Sequence, residues 1–180
     1  MAVRIVITGA PASGKTTFIE RLKSEPFLEG FQIFDELARQ LLLEKHDYRD
    51  HWDQFHLEIY RRQIEREDNL GGRPFITDRG TVDAFAFHPS TMRAVETTLE
   101  KEYLRYDSVI QLGSSAALGE KFYQLDAIRN EPIEHALEIE KNLKKVWGGH
   151  SGYIFLAAVP DLKIKYEALI KILSPLVSGL

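Results

Sequence analysis

The chain has 180 residues, 44% hydrophobic and 28% charged, with 23 Lys plus Arg against 27 Asp plus Glu and no cysteine. Its length suffices to bury roughly 70% of the surface an unfolded chain exposes, so a core needs no disulfide or metal to hold it. Lack of thiols excludes disulfide frameworks, Cys-ligated zinc, iron–sulfur clusters and thiol catalysis, and a net charge of −4 with no dominant basic stripe argues against a nucleic-acid partner.

The chain opens on a short apolar run that Arg4 interrupts, too short for a secretory leader. Residues 3–8 read as the first strand, followed by a helix over 14–24. A second strand, 31–34, leads into helices over 35–44 and 50–69. In the latter, Trp52, Phe55 and Ile59 share one side, while Glu58 and Arg62 are spaced to pair on the exposed side. Strands at 74–78 and 108–112 enclose a helix expected over 91–105. A helix over 133–147, a strand at 153–156 and a helix over 161–173 complete the order, with Ser174-Pro175 expected to end the last helix. Several strands are apolar at consecutive positions, as strands covered on both faces require, so the pattern predicts an α/β domain around a parallel sheet. The longest apolar stretch, 154–159, is far below the ~18 residues of a membrane span. A soluble cytoplasmic protein without a membrane partner is expected.

Between the first strand and helix, Gly9-Ala10-Pro11-Ala12-Ser13-Gly14-Lys15-Thr16 fits G-x-x-x-x-G-K-[ST]. A chance match in a chain of this length has a probability of about 1%. A triphosphate needs many converging N–H donors, and the two glycines let the backbone turn tightly and approach it without a Cβ in the way. Lys15 supplies a point charge to the β- and γ-phosphates, and the Thr16 hydroxyl a ligand for Mg²⁺. A helix starting near Gly14 adds unpaired N–H groups and about half a positive charge. Residues 9–17, Thr17 included, are the expected ATP cradle.

Asp78, ending the third strand, is the candidate second acidic group near Mg²⁺, or else the cap of a helix over 80–85. Arg79 beside it is placed to reach a phosphate or an acceptor hydroxyl, with a surface ion pair as the alternative. Asp35 and Glu36 close the second strand at the edge where ligands gather in open α/β folds, so a carboxylate there could accept a hydroxyl proton. They could equally be acids favoured by the helix dipole. Arg39 is a substrate contact or the i+4 partner of Asp35. Arg129, on the loop 126–131, could close over the β/γ-phosphates or be solvated. His46, His51 and His56 recur every five residues, which fans them ~140° apart around a helix and fails as a metal site. Tyr48, Trp52 and Phe55 could stack a nucleobase or belong to the core.

The segments GAPASGKTT, FDELARQLL, DRGTVDAFAF and IRNEPIEHALEIEKNLKKVWGGH together resemble the NadR-like AAA-type ATPase domain family of P-loop proteins, near the nucleoside and nucleotide kinases. The resemblance implies a three-layer P-loop fold with a five-stranded parallel sheet in the order 2-3-1-4-5 and ATP at its carboxyl edge. Glu36 and Arg39 match the family's E-x-x-R, Asp78, Arg79 and Asp83 its D-R-x-x-x-D, and Arg129 with Glu131 its R-x-E before the lid helix. The D-R-G step is also similar to the acidic-Arg motif of deoxynucleoside kinases, which serves magnesium and the acceptor. Asp35, Glu36, Arg39, Arg79 and Asp83 are then expected around a small-molecule acceptor. Residues 35–72 of the single domain would form the acceptor region, and about 119–135 a lid. The expected function is ATP- and Mg²⁺-dependent transfer of the γ-phosphoryl group to a nucleoside- or nucleotide-like acceptor. The alternative is a nucleotide switch, using ATP or GTP, without such an acceptor.

Overall fold

The computed structural model describes residues 2–44, 51–123 and 132–178. Arg129, Glu131, His46 and Tyr48 lie outside the described residues. Strands β1 (Arg4–Gly9), β2 (Gln32–Phe34), β3 (Phe75–Asp78), β4 (Ser108–Leu112) and β5 (Tyr153–Leu156) form one parallel sheet in the order β2-β3-β1-β4-β5. Central β1 sets Ile5 beside Ile76 on one side and Ser108 on the other, and Ile7 beside Asp78 and Ile110. This register brings the carboxyl ends of β1 and β3 to the same edge.

Helices α1 (Lys15–Leu22) and α8 (Leu162–Ser178) cover one face of the sheet. On the other face lie α3 (Trp52–Asp68), α4 (Asp83–Phe87) and α7 (Ile133–Trp147), with α2 (Leu37–Glu44) leading into them from β2. Successive strand side chains point to opposite faces. Ile5, Ile7, Ile76, Ile110 and Leu112 therefore meet Phe18, Ile19, Leu169 and Leu173, while Val6, Phe75 and Val109 meet Tyr60, Phe85, Leu143 and Trp147. Burial on both sides is the physical reason for the unbroken apolar runs.

Two expected elements differ. The helix read over 91–105 is broken into α5 (Ser90–Ala94) and α6 (Leu99–Tyr103). Glu96 takes a left-handed φ of 52°, and the Thr98 hydroxyl restarts the helix by accepting the Lys101 N–H at 3.4 Å. The last helix does not stop at Ser174-Pro175 but runs to Ser178 with Pro175 inside it. Leu169, Leu173 and Val177, spaced by four, are all buried against the sheet. Beyond the proline, Val177 is buried and Leu176 packs against the same core, and their burial at ~1.5–3 kcal/mol per fully buried side chain is comparable to the ~3 kcal/mol that an internal proline costs. Elsewhere Arg62 does pair with Glu58, at 2.9 Å.

Candidate functional site

β1 ends at Gly9, where a Cβ would lie 2.6 Å from Ser13 Oγ and 2.8 Å from the Leu112 carbonyl. The chain then turns back through left-handed positions at Ala12 (φ 60°) and Gly14 (φ 83°) before α1 begins. The Ser13 N–H closes the turn on the Ala10 carbonyl at 3.2 Å, with Pro11 at its outer corner. The amides of Lys15, Thr16 and Thr17 occupy the first turn of α1, where no intrahelical carbonyl precedes them. The result is a concave backbone whose donors fit a polyphosphate.

From this loop a chain of alternating charges leads inward. Lys15 is buried, and its Nζ lies 2.5 Å from Asp78 Oδ1 at the end of β3. Asp78 does not cap the helix that follows it, since α4 begins at Asp83 with Val82 before it. Burial pushes its carboxyl above the usual range, against the opposing pull of Lys15. Arg79 holds a left-handed φ of 69°, which places its side chain where Nε meets Glu36 Oε1 at 2.9 Å and Nη1 meets Asp83 Oδ1 at 3.3 Å. Its guanidinium also lies 4.6 Å over the Phe87 ring. Burial works against ionisation of Glu36, but Arg79 and Lys15 prevail and bring its pKa down to about 2. Glu36 is therefore an anion throughout the physiological range.

The other expected residues differ in placement. Asp83 lines a cavity together with Arg79 and Glu36, yet its carboxylate receives the Thr8 hydroxyl, the Gly80 N–H at 2.9 Å and Trp147 Nε1 at 3.1 Å. With Arg79 added, it ties β1, α4 and α7 together. Asp35 turns away, pairing with Lys23 at 2.8 Å, and so is not the partner of Arg39. Arg39 is exposed on α2 and lies outside the cavity lining. Thr16 and Thr17 are exposed at the mouth of the loop.

Arg79, Asp78 and Glu36 open onto a cavity of about 680 Å³ between α2, α3, α4 and α7. Trp52 and Phe55, which the sequence left open between core and ligand, both line it, Phe55 buried and Trp52 half exposed. The sequence reading missed most of the remaining wall. His56 stacks parallel to His88 at 5.1 Å and to Phe87 at 6.4 Å, and His88 Nε2 lies 2.7 Å from Asp53 Oδ1. Burial, reinforced by His88, lowers the His56 pKa to about 4, so its ring is neutral at pH 7. Gln63 and, from α7, Asn142 add polar groups. Of the two phenylalanines after the D-R-G step, Phe87 lines the cavity, while Phe85 packs in the core against Tyr60.

A glycine-bounded loop between a central parallel strand and a helix, with an acidic strand end beside its lysine, defines a P-loop nucleotide fold. A family model described as an AAA domain matches residues 4–158, and the chain belongs to that family. No curated protein sequence matches it. Among solved structures it is similar to deoxyadenosine kinase from M. mycoides with bound dCTP, at 16% identity and a TM-score of 0.58, over 96% of this chain and 100% of that one. A structure of the same kinase with bound dATP gives 15% identity and a TM-score of 0.61, over 95% and 99% of the two chains. These likenesses establish the fold.

Proposed function

We propose that the protein is a phosphotransferase that moves the γ-phosphoryl group of ATP to a hydroxyl of a nucleoside-like acceptor. The observation that carries this reading is the pair of contacts Lys15–Asp78 and Arg79–Glu36, set side by side on the consecutive residues Asp78 and Arg79, which join the phosphate loop to the cavity. Loop amides and Lys15 hold the polyphosphate, and Lys15 exchanges its contact with Asp78 for the phosphates. The Thr16 hydroxyl and the freed Asp78 carboxylate are a hard-oxygen set that suits Mg²⁺. When bound, that ion would offset charge on the β- and γ-oxygens. Glu36, ionised and facing the cavity, accepts the hydrogen bond of the attacking hydroxyl and takes its proton as the new O–P bond forms and the γ-phosphorus bond to ADP breaks. Arg79, fixed by Glu36, Asp83 and the Phe87 face, meets the negative charge that spreads over the transferring group. Arg129, a candidate from the sequence alone, would add a positive charge for the β- and γ-phosphates. The fold shared with a deoxyadenosine kinase and the mainly apolar, aromatic-walled cavity support a planar acceptor base.

A coupled assay of ADP release across deoxynucleosides, nucleosides, ribosylnicotinamide and nucleotides is expected to show turnover with one acceptor class. Glu36→Gln should lower that turnover by roughly 10²–10⁴-fold while leaving ATP affinity nearly unchanged. Slow ATP hydrolysis that no acceptor accelerates would overturn the proposal.

A further inference from the structure

Behind the phosphate loop, three successive carbonyls are tied down from outside. Ser114 Oγ donates to the Pro11 carbonyl at 2.5 Å, the Ser115 N–H to that of Ala12 at 3.1 Å, and Lys165 Nζ to that of Ser13 at 2.7 Å. Ser114 is itself fixed by α7, its N–H donating to Glu140 Oε2 at 2.5 Å. Lys165, on α8, is only 2% exposed and also donates to the Gly113 carbonyl at 2.5 Å. In a planar trans peptide the C=O and N–H point in opposite directions. Anchoring the Pro11 and Ser13 carbonyls on the outer side therefore turns the Ala12 and Gly14 amides toward the concave side.

Lys165 differs from the other cations of the site in what neutralises it. Lys15 is met by Asp78, and Arg79 by Glu36 and Asp83, all within 3.3 Å. Among the described residues, the groups that Lys165 Nζ meets are the uncharged carbonyls of Ser13 and Gly113. The carboxylate whose field reaches it is Glu140 on α7, which only partly offsets the burial that brings its pKa down to about 8. On its own helix, Asp161 is engaged with the Lys163 and Ile164 amides. Among the described residues, a buried positive charge thus sits beneath the loop without an anion in contact, and an anion held by the loop would supply one.

We propose that Lys165 and Ser114 are positioning residues of the nucleotide site: together they set the inward orientation of the phosphate-loop amides, and Lys165 adds an uncompensated positive charge beneath a bound polyphosphate. This rests on the nucleotide-binding reading above. The test is calorimetric titration of the whole chain with ATP, ADP and AMP, alongside thermal unfolding, for wild type, Lys165→Met, Lys165→Gln and Ser114→Ala. Lys165→Met is expected to weaken ATP binding by at least ~10-fold, from loss of charge-assisted hydrogen bonds. The penalty should shrink from ATP to ADP to AMP. Lys165→Gln keeps N–H donors without the charge, and Ser114→Ala removes one neutral anchor. Each should cost about 3-fold for ATP. If Lys165→Met does not fold, the other two variants make the same comparison. Folded variants with wild-type ATP affinity, or with equal losses for ATP, ADP and AMP, would overturn the proposal. A wild-type chain that binds no nucleotide would remove the functional reading and this inference with it.

Discussion

Lys15 and Asp78 neutralise each other at 2.5 Å, with Asp78 only 2% exposed. Breaking a buried pair from one side strands a charge, whereas replacing both partners can be nearly neutral. Lys15→Met should therefore lower stability by about 3 kcal/mol, or roughly 6–12 °C in Tm. Lys15→Met combined with Asp78→Asn should recover most of that loss while still failing to bind ATP. Differential scanning calorimetry with nucleotide titration separates the two effects, and equal Tm values for the single and double variants would count against the pairing. Lys15 is legible in the sequence because the loop motif is local: its donors lie within nine residues. Asp83 is not, because the groups that saturate it, Thr8 and Trp147, are 75 and 64 residues away. The family resemblance implied an acceptor contact for Asp83, and three-dimensional convergence reveals a brace.

At the scale of elements, local pattern and tertiary packing disagree where a single turn decides the outcome. The stretch 91–105 has helical periodicity, but the left-handed Glu96 and the Thr98 cap divide it. Pro175 should stop a helix, but buried residues on both sides of it carry α8 onward. In α3, the same face that places Phe55 in the core also sets His56 against His88 and Phe87. With its folded pKa near 4 and an unfolded value of 6.5, His56 is protonated first in the unfolded chain. Stability should thus fall as pH drops from about 6.5 toward 4, by on the order of 2 kcal/mol for this half-buried ring. Urea titrations at pH 7 and pH 4.5 measure the fall. His56→Phe should remove most of it, and an unchanged pH slope in that variant would assign the acid sensitivity elsewhere.

For the molecule as a whole, the parallel sheet and its order were readable from continuous apolar strands and from resemblance. The cavity was only partly so. Residues 35–72 supply Glu36, Trp52, Phe55 and Gln63, but Phe87, His88 and Asn142 arrive from segments far along the chain. Trp147 shows how tightly that assembly is joined. It is fully buried, its ring meets Tyr103, Tyr106 and His150, and its indole N–H holds Asp83. Trp147→Ala should cost about 3–5 kcal/mol and also weaken acceptor binding by loosening Asp83 and Arg79. Chemical denaturation with acceptor titration checks both, and a loss below about 1 kcal/mol would contradict this placement. The proposed reaction moves the γ-phosphoryl group directly from ATP, held by the loop, to a hydroxyl of the acceptor in the cavity, with Lys15, Asp78, Arg79 and Glu36 positioning the two. Its most direct test follows the label from [γ-³²P]ATP by chromatography, with wild type and Lys15→Met compared in the presence of the acceptor. The account predicts label on the acceptor with wild type and none with Lys15→Met; label appearing only as inorganic phosphate, with or without acceptor, would contradict it.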